Sequence, residues 1–261
     1  MSDLLMKPIT GTVAGYARLW GLDPDPRYQW SDRLQIAQCP AGLDFPRAAL
    51  PPSFRYGTPW RRSEPDERLP REDERPLIFC SLGSLQGARR SLFAAMTRAC
   101  AAVGARAVVA HGGGLSDREA ASLPGDPLVR AFLPQTRVLQ HCSAAILHGG
   151  FNTVLDALAA GIPIVAVPLG FEQPATAARL ARVGAARVVS SRDAGRGALE
   201  PALRRVLTDP AIAAPRDFSR RKSRQAGATE AAALVDAAFG GWADAMPATL
   251  RRPTGETACA A

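Results

Sequence analysis

The stretch Ala144-Ala145-Ile146-Leu147-His148-Gly149-Gly150-Phe151-Asn152-Thr153 is where the architecture is decided. Four apolar residues without polar alternation predict a strand buried on both faces, two glycines follow, and the residues from Asn152 to Ala160 carry helical spacing. Gly161 with Pro163 beyond it predicts the stop of that helix. A strand that runs through glycines into a helix start is an anion site, because unpaired backbone N–H groups and the positive end of the helix dipole converge there. His148, Asn152 and Thr153 add donors suited to wrapping a diphosphate, and Gly150 lets the backbone come close. Asp156, four residues after Asn152, falls on the same helix face one turn deeper. A carboxylate so placed suits a ribose whose hydroxyls donate to it. Without a ligand, the same segment reads as an ordinary glycine-rich turn with a capping Asn152 and a surface Asp156.

Outward from this stretch, short β-rich runs alternate with helical ones. Strands are predicted at 77–82, 106–110, 128–132, 144–147, 164–167 and 186–189, and helices at 88–103, 152–160 and 174–183. Such alternation is produced by an α/β fold with a doubly wound parallel sheet, here from residue 76 to about 239. The first 60 residues, broken by seven prolines from Pro24 to Pro59, carry too little periodicity for a domain of their own. Arg61 to Arg75 has one apolar residue and two prolines, and reads as a linker. The segment from 240 to 261 reads as a flexible tail.

The chain has 261 residues, 47% hydrophobic and 21% charged, and no apolar run approaches the roughly 20 residues of a membrane-spanning helix. The start lacks the pattern of a secretory signal, and the five cysteines are scattered without metal-ligand spacing, which predicts free thiols in the cytoplasm. A net charge of +8 is spread mostly as single arginines, the one dense run being Arg220, Arg221, Lys222 and Arg224. A solvated basic face, attraction of an anionic substrate and peripheral contact with an acidic membrane surface all fit that distribution. It does not point to nucleic acid.

In a doubly wound sheet, ligands bind outside the carboxyl ends of the strands. Two further loops lie there. Ser81-Leu82-Gly83-Ser84 offers a glycine and the Ser84 hydroxyl to a phosphate, or is a tight turn. Phe171-Glu172-Gln173-Pro174 puts an acid beside an amide, a pair able to bond neighbouring sugar hydroxyls, with Glu172 as a helix-start carboxylate the competing reading. A dinucleotide oxidoreductase is disfavoured, because no Gly-x-Gly-x-x-Gly follows the first strand.

Together, Phe132-Leu133-Pro134-Gln135, His148-Gly149-Gly150-Phe151-Asn152-Thr153-x-x-Asp156 and Glu172-Gln173 resemble the donor-binding signature of family 1 glycosyltransferases, in order and in spacing. Within that family the wording from His148 to Leu180 is similar to the zeaxanthin (carotenoid) glucosyltransferases, as is Gln35 to Arg47. The resemblance implies the GT-B fold, a UDP-sugar donor and a hydrophobic alcohol acceptor of the carotenoid type. It places Phe132 under the nucleobase, where relatives often have tryptophan, and Gln135 against the nucleoside. His148, Asn152, Thr153 and Ser84 would hold the diphosphate, Asp156 the ribose, where many relatives have glutamate, and Glu172 and Gln173 the sugar. No metal and no resident cofactor are implied, the nucleotide sugar being a co-substrate.

The same resemblance implies an N-terminal domain that supplies the acceptor pocket and a histidine base, and only its last part is represented here, in residues 1–60. The three histidines, His111, His141 and His148, all lie in the C-terminal half, so no catalytic base is assigned. The expectation is a donor-binding half that is inactive alone. A noncatalytic nucleotide-sugar module, or a subunit completed by a separate acceptor-domain chain, is the alternative.

Overall fold

A computed structural model of the protein describes residues 2–24, 31–60, 74–212 and 226–240. The chain forms two compact units: one gathers Met1–Ala41, Pro46–Thr58 and Ala226–Ala261, the other Gly42–Phe45 and Pro59–Gln225. Most of the expected linker, the tail after residue 240, the dense basic run and Cys259 lie outside the described residues.

The first unit holds more regular structure than its proline content predicts. Helix α1 spans Ser2–Leu19 with Pro8 inside it. The Thr12 hydroxyl donates to the Pro8 carbonyl at 3.0 Å, a side-chain bond to the backbone in the turn after the proline. Strands β1 (Gln35–Ala37) and β2 (Phe54–Tyr56) pair in parallel, Gln35 opposite Phe54. Each is only three residues long and half-buried, too short to show a period.

The second unit is the doubly wound domain. Its strands are β3 (Leu77–Ser81), β4 (Arg106–Ala110), β5 (Leu128–Arg130), β6 (Ala144–Leu147), β7 (Ile164–Ala166) and β8 (Ala186–Val188). They form one parallel sheet in the order β5-β4-β3-β6-β7-β8. The connecting helices are α2 (Arg90–Ala102), α3 (Asp117–Ala121), α4 (Gln135–Val138), α5 (Phe151–Ala160), α6 (Gln173–Arg182), α7 (Ser191–Ala194) and α8 (Leu199–Thr208), and α9 (Ala226–Phe239) belongs to the first unit. All six strands fall where the sequence places them, several ending one or two residues sooner.

Side chains alternate across a strand, and the core follows that rule. Ile78, Cys80, Val109, Ile146 and Val165 join one cluster with Phe93 and Met96 of α2 and Leu199 and Leu203 of α8. The intervening Phe79, Leu147 and Ile164 are just as buried and point to the other face. Burying each such side chain contributes about 1.5–3 kcal/mol. Both faces are therefore covered, and the apolar run of β6 needs no polar alternation.

A segment from the early part of the chain is built into this unit. Leu43 is fully buried, and Asp44 accepts from Nε and Nη2 of Arg179 at 2.9 and 2.8 Å. Arg182 donates to the carbonyls of Gly42 and Asp44, and the Arg179 guanidinium lies 4.7 Å from the centre of the Phe45 ring. Nothing in the local sequence pairs residues so far apart.

Strands β3 and β6 are neighbours, and the chain leaves β3 toward β4 on one side and β6 toward β7 on the other, so the connections after them run in opposite directions. The loops after β3 and β6 flank this switch point, where such a sheet opens a crevice at its carboxyl edge.

Candidate functional site

The crevice at the switch point is a cavity of about 530 Å³. Three loops line it: Leu82–Gln86 after β3, His148 to Thr153 after β6, and Phe171 to Gln173 after β7. Seven of the residues singled out above thus meet around one space: Ser84, His148, Gly150, Asn152, Thr153, Glu172 and Gln173.

His148 is the centre of the arrangement. Its backbone N–H donates to the Ser81 carbonyl at 3.3 Å, which ties the loop to β3. Its ring is enclosed by two glycines. A Cβ at Gly83, whose φ is +70°, would stand 2.8 Å from Nε2, and a Cβ at Gly150 would overlap the same ring. The glycines after β3 and β6 therefore make the slot that holds this imidazole. The residue is only 8% exposed, and its Nδ1 has no hydrogen-bond partner among the described residues. Burial pushes its pKa below the usual histidine value, opposed by the Ser81 carbonyl and by the charge of Glu172. A buried polar atom left unpaired costs about 1–3 kcal/mol, which is a reason to look for a ligand there.

Helix α5 starts at Phe151 with Gly150 as its cap residue and no side-chain cap. Asn152 is thus the second helical residue and not the capping one. The first-turn N–H groups of α5 open toward the cavity, with Asn152 and Thr153 on its wall. Glu172 precedes α6 and makes no side-chain cap bond, and Pro174 is the second helical residue, one place later than its spacing predicts. Gln173 is used differently from the expectation of sugar contact alone. Its Oε1 accepts from the backbone N–H of Leu169 and Gly170 at 2.8 and 3.1 Å, which fixes the loop carrying Phe171 and Glu172. Phe171 adopts a φ of +55°, rare for an aromatic residue, and no sequence signal marks it.

Phe132, Gln135 and Asp156 do not line this cavity. Phe132 follows β5 and is 73% exposed, an open aromatic face. Asp156 is 5% exposed, which rules out the surface-acid reading, and its Oδ2 accepts from Nε2 of Gln135 at 2.7 Å. Among the other histidines, His111 is buried and its Nδ1 accepts from the Leu115 N–H at 3.1 Å, so it organises its own loop. That loop supports the site from below: a Cβ at Gly112 would press on the Ser84 backbone. His141 ends the turn Leu139–His141 that leads into β6. Sequence reasoning missed Leu85 and Gln86 of the cavity wall, which carry no distinguishing pattern.

A profile of the family described as UDP-glucoronosyl and UDP-glucosyl transferase matches residues 40–214. The chain belongs to this family. It is 42% identical over 246 residues to a protein of Pseudescherichia vulneris named zeaxanthin glucosyltransferase, covering 92% of this chain and 59% of that one. A protein of the same name from Pantoea ananas is 35% identical over 247 residues, covering 89% and 56%. The chain thus spans less than two thirds of the length of these relatives. Among solved structures, that of CalG4, the calicheamicin glycosyltransferase, superposes with a TM-score of 0.71 at 27% identity, covering 89% of this chain and 59% of that one. The chain has an α/β fold that resembles the GT-B kind, and among its described residues no helix is long and apolar enough to cross a membrane.

Proposed function

We propose that this chain binds the donor in a glucosyl transfer, with UDP-glucose as the nucleotide sugar and a hydrophobic alcohol of the carotenoid type as acceptor. One observation carries the reading: the buried His148 ring, whose Nδ1 has no hydrogen-bond partner among the described residues, stands against Gly150 at the amino end of α5, in a cavity that Glu172 and Gln173 also line. In this reading the acceptor oxygen attacks the anomeric carbon, the bond from that carbon to the diphosphate oxygen breaks, and the electron pair leaves on the diphosphate. His148, the α5 N–H groups, Asn152, Thr153 and Ser84 stabilise that leaving group. Glu172 and Gln173 hold the sugar, and Phe132, Gln135 and Asp156 the nucleoside. Neither a metal nor a resident cofactor enters the proposal. The acceptor proton goes to a base to which no residue of this chain is assigned; among the described residues, His111 accepts from the Leu115 N–H through Nδ1.

A second reading is a noncatalytic nucleotide-sugar-binding module, or a donor-binding subunit of a split glycosyltransferase; the chain spans 59% and 56% of the two zeaxanthin glucosyltransferases it matches. Both readings place the protein in the cytoplasm, with peripheral contact to a membrane that presents the acceptor.

Calorimetric titration with UDP-glucose, joined to a product assay with zeaxanthin, tests the proposal. Binding is expected, and His148→Ala is expected to weaken it by about 1–3 kcal/mol. Turnover is expected only after the acceptor domain of a relative is added, because positioning of the acceptor accounts for on the order of 7–11 kcal/mol of such a barrier. Absence of binding overturns the donor reading. Robust turnover by the chain alone overturns the division of labour.

A further inference from the structure

Among the described large apolar residues of the second unit, the most exposed are Leu85 at 84%, Phe171 at 75% and Phe132. All three sit on loops that leave the carboxyl ends of strands, and two of them, Leu85 and Phe171, line the same cavity. Strand β6 lies between β3 and β7 in the sheet, so the loops that carry Leu85 and Phe171 stand on either side of the one that carries His148. The wall between them is polar, with Ser84, His148, Asn152 and Glu172 on it. A lone apolar side chain on a surface needs no explanation. Two at the rim of one polar cavity leave apolar area in water at the place where a ligand would cover it. Phe171 is also held where it is. Its φ of +55° lies in the left-handed region that glycine adopts freely and a bulky residue avoids. Gln173 pins that loop by accepting from the Leu169 and Gly170 N–H groups. The ring is thus present against the backbone preference of its position, and its exposure shows that packing is not the reason.

We propose that Leu85 and Phe171 form an apolar rim that receives the acceptor, and that the acceptor is an alcohol with an apolar body next to its hydroxyl. This rests on the reading that the cavity holds the diphosphate and the sugar. With the inner wall taken by His148 and the start of α5, the attacking hydroxyl reaches the anomeric carbon from the open side, past the rim. An alcohol with an apolar body covers both side chains and gains by removing them from water. A polyol gives up its own hydration against them without compensating bonds. The rim sorts acceptors by the surface around the hydroxyl, separately from the groups that bind the donor.

The experiment is saturation-transfer NMR of the full chain with menthol, a cyclic alcohol with an apolar body, and with glycerol as the polar control, each with and without saturating UDP. Transfer to the menthol methyl protons is expected, and none to glycerol. In Phe171→Gly and in Leu85→Ser the menthol dissociation constant is expected to rise about fivefold, the loss of one large apolar contact, while UDP affinity by calorimetry stays within about twofold. Glycine at position 171 keeps the left-handed backbone, so that variant reports the ring alone. Leu85→Ser carries the test should the first variant fold poorly. No transfer to menthol in the wild type, equal transfer to glycerol, or unchanged menthol binding in both variants overturns the rim. A loss of UDP affinity as large as the loss of menthol affinity overturns it too, because the loops and not the side chains would then be responsible. Menthol binding that meets these expectations while UDP fails to bind the wild type overturns the donor reading and leaves the apolar-alcohol site standing.

Discussion

The two ends of the proposed donor site are built from different materials. At the diphosphate end the groups are backbone: glycines that shape a slot for His148, and the first turn of α5. At the nucleoside end they are side chains: the open ring of Phe132 and the buried Asp156 held by Gln135. Backbone recognition is enforced by the sheet and tolerates no added Cβ. Of the side chains, the exposed Phe132 ring is separable from the fold and can vary at little cost to stability, whereas the buried Asp156 is not. That difference predicts which substitutions damage the protein and which damage only binding.

The largest effects should come from the slot. Gly83→Ala adds a Cβ against the His148 ring and also forces an L residue to a φ of +70°, so a loss of about 2–4 kcal/mol in stability is expected. Gly150 has an ordinary φ of −60°, so Gly150→Ala carries only the steric part, about 1–3 kcal/mol. Urea unfolding in a His148→Ala background separates the two causes. There the Gly150 substitution should fall to within about 0.5 kcal/mol of neutral, whereas Gly83→Ala should keep roughly 1–2 kcal/mol of backbone strain. Equal costs in both backgrounds would show that the ring does not fill the slot.

At the other end, Phe132→Ala should leave stability within about 0.5 kcal/mol, because the ring is 73% exposed and supports nothing. Its effect should appear in UDP affinity, as the roughly 1–3 kcal/mol typical of lost stacking on a base. A fall in melting temperature with affinity intact would reverse the assignment and make Phe132 part of the fold.

The contrast between the ends also explains what could be read in advance. The backbone end was legible because strand, glycines and helix start are consecutive in the chain, from Ala144 to Ala160. Such local order predicts both the element and its chemistry. The placement of Phe132 came from resemblance to a family, that of Asp156 from its spacing after Asn152 as well, and the contact of Asp156 with Gln135 did not come at all. Gln135 reaches Asp156 only because α4 packs on α5, and α4 is four residues long, too short to show a period. The same holds for Asp44 and Arg179, which meet across 135 residues, and for the parallel pair β1 and β2 in a stretch dominated by prolines. In each case the deciding contact is long-range, and no spacing within either segment announces it.

The smallest predicted effect concerns protonation, and its sign follows from burial. In the protein without ligand, burial holds the His148 pKa below the ordinary value of about 6.5, so the ring is neutral at neutral pH. Unfolding exposes it and restores the ordinary value, so this group removes stability as the pH falls through about 6.5 toward the folded pKa. A bound diphosphate does the opposite, since a negative charge beside the ring favours the imidazolium and raises the pKa in the complex. Affinity for UDP-glucose should therefore rise as the pH drops through the pKa of the complex, and level off below that of the free protein. A change of about tenfold or less between pH 8 and pH 6 corresponds to a difference of one unit between the two states. UDP-glucose is the appropriate ligand, because its diphosphate is esterified at both ends and does not itself titrate in that range. Titrations in buffers of different ionisation enthalpy should register proton uptake on binding, and His148→Gln should abolish both the uptake and the pH dependence. A flat profile in the wild type would mean that His148 stays neutral in the complex, and that the backbone of α5 carries the charge recognition without it.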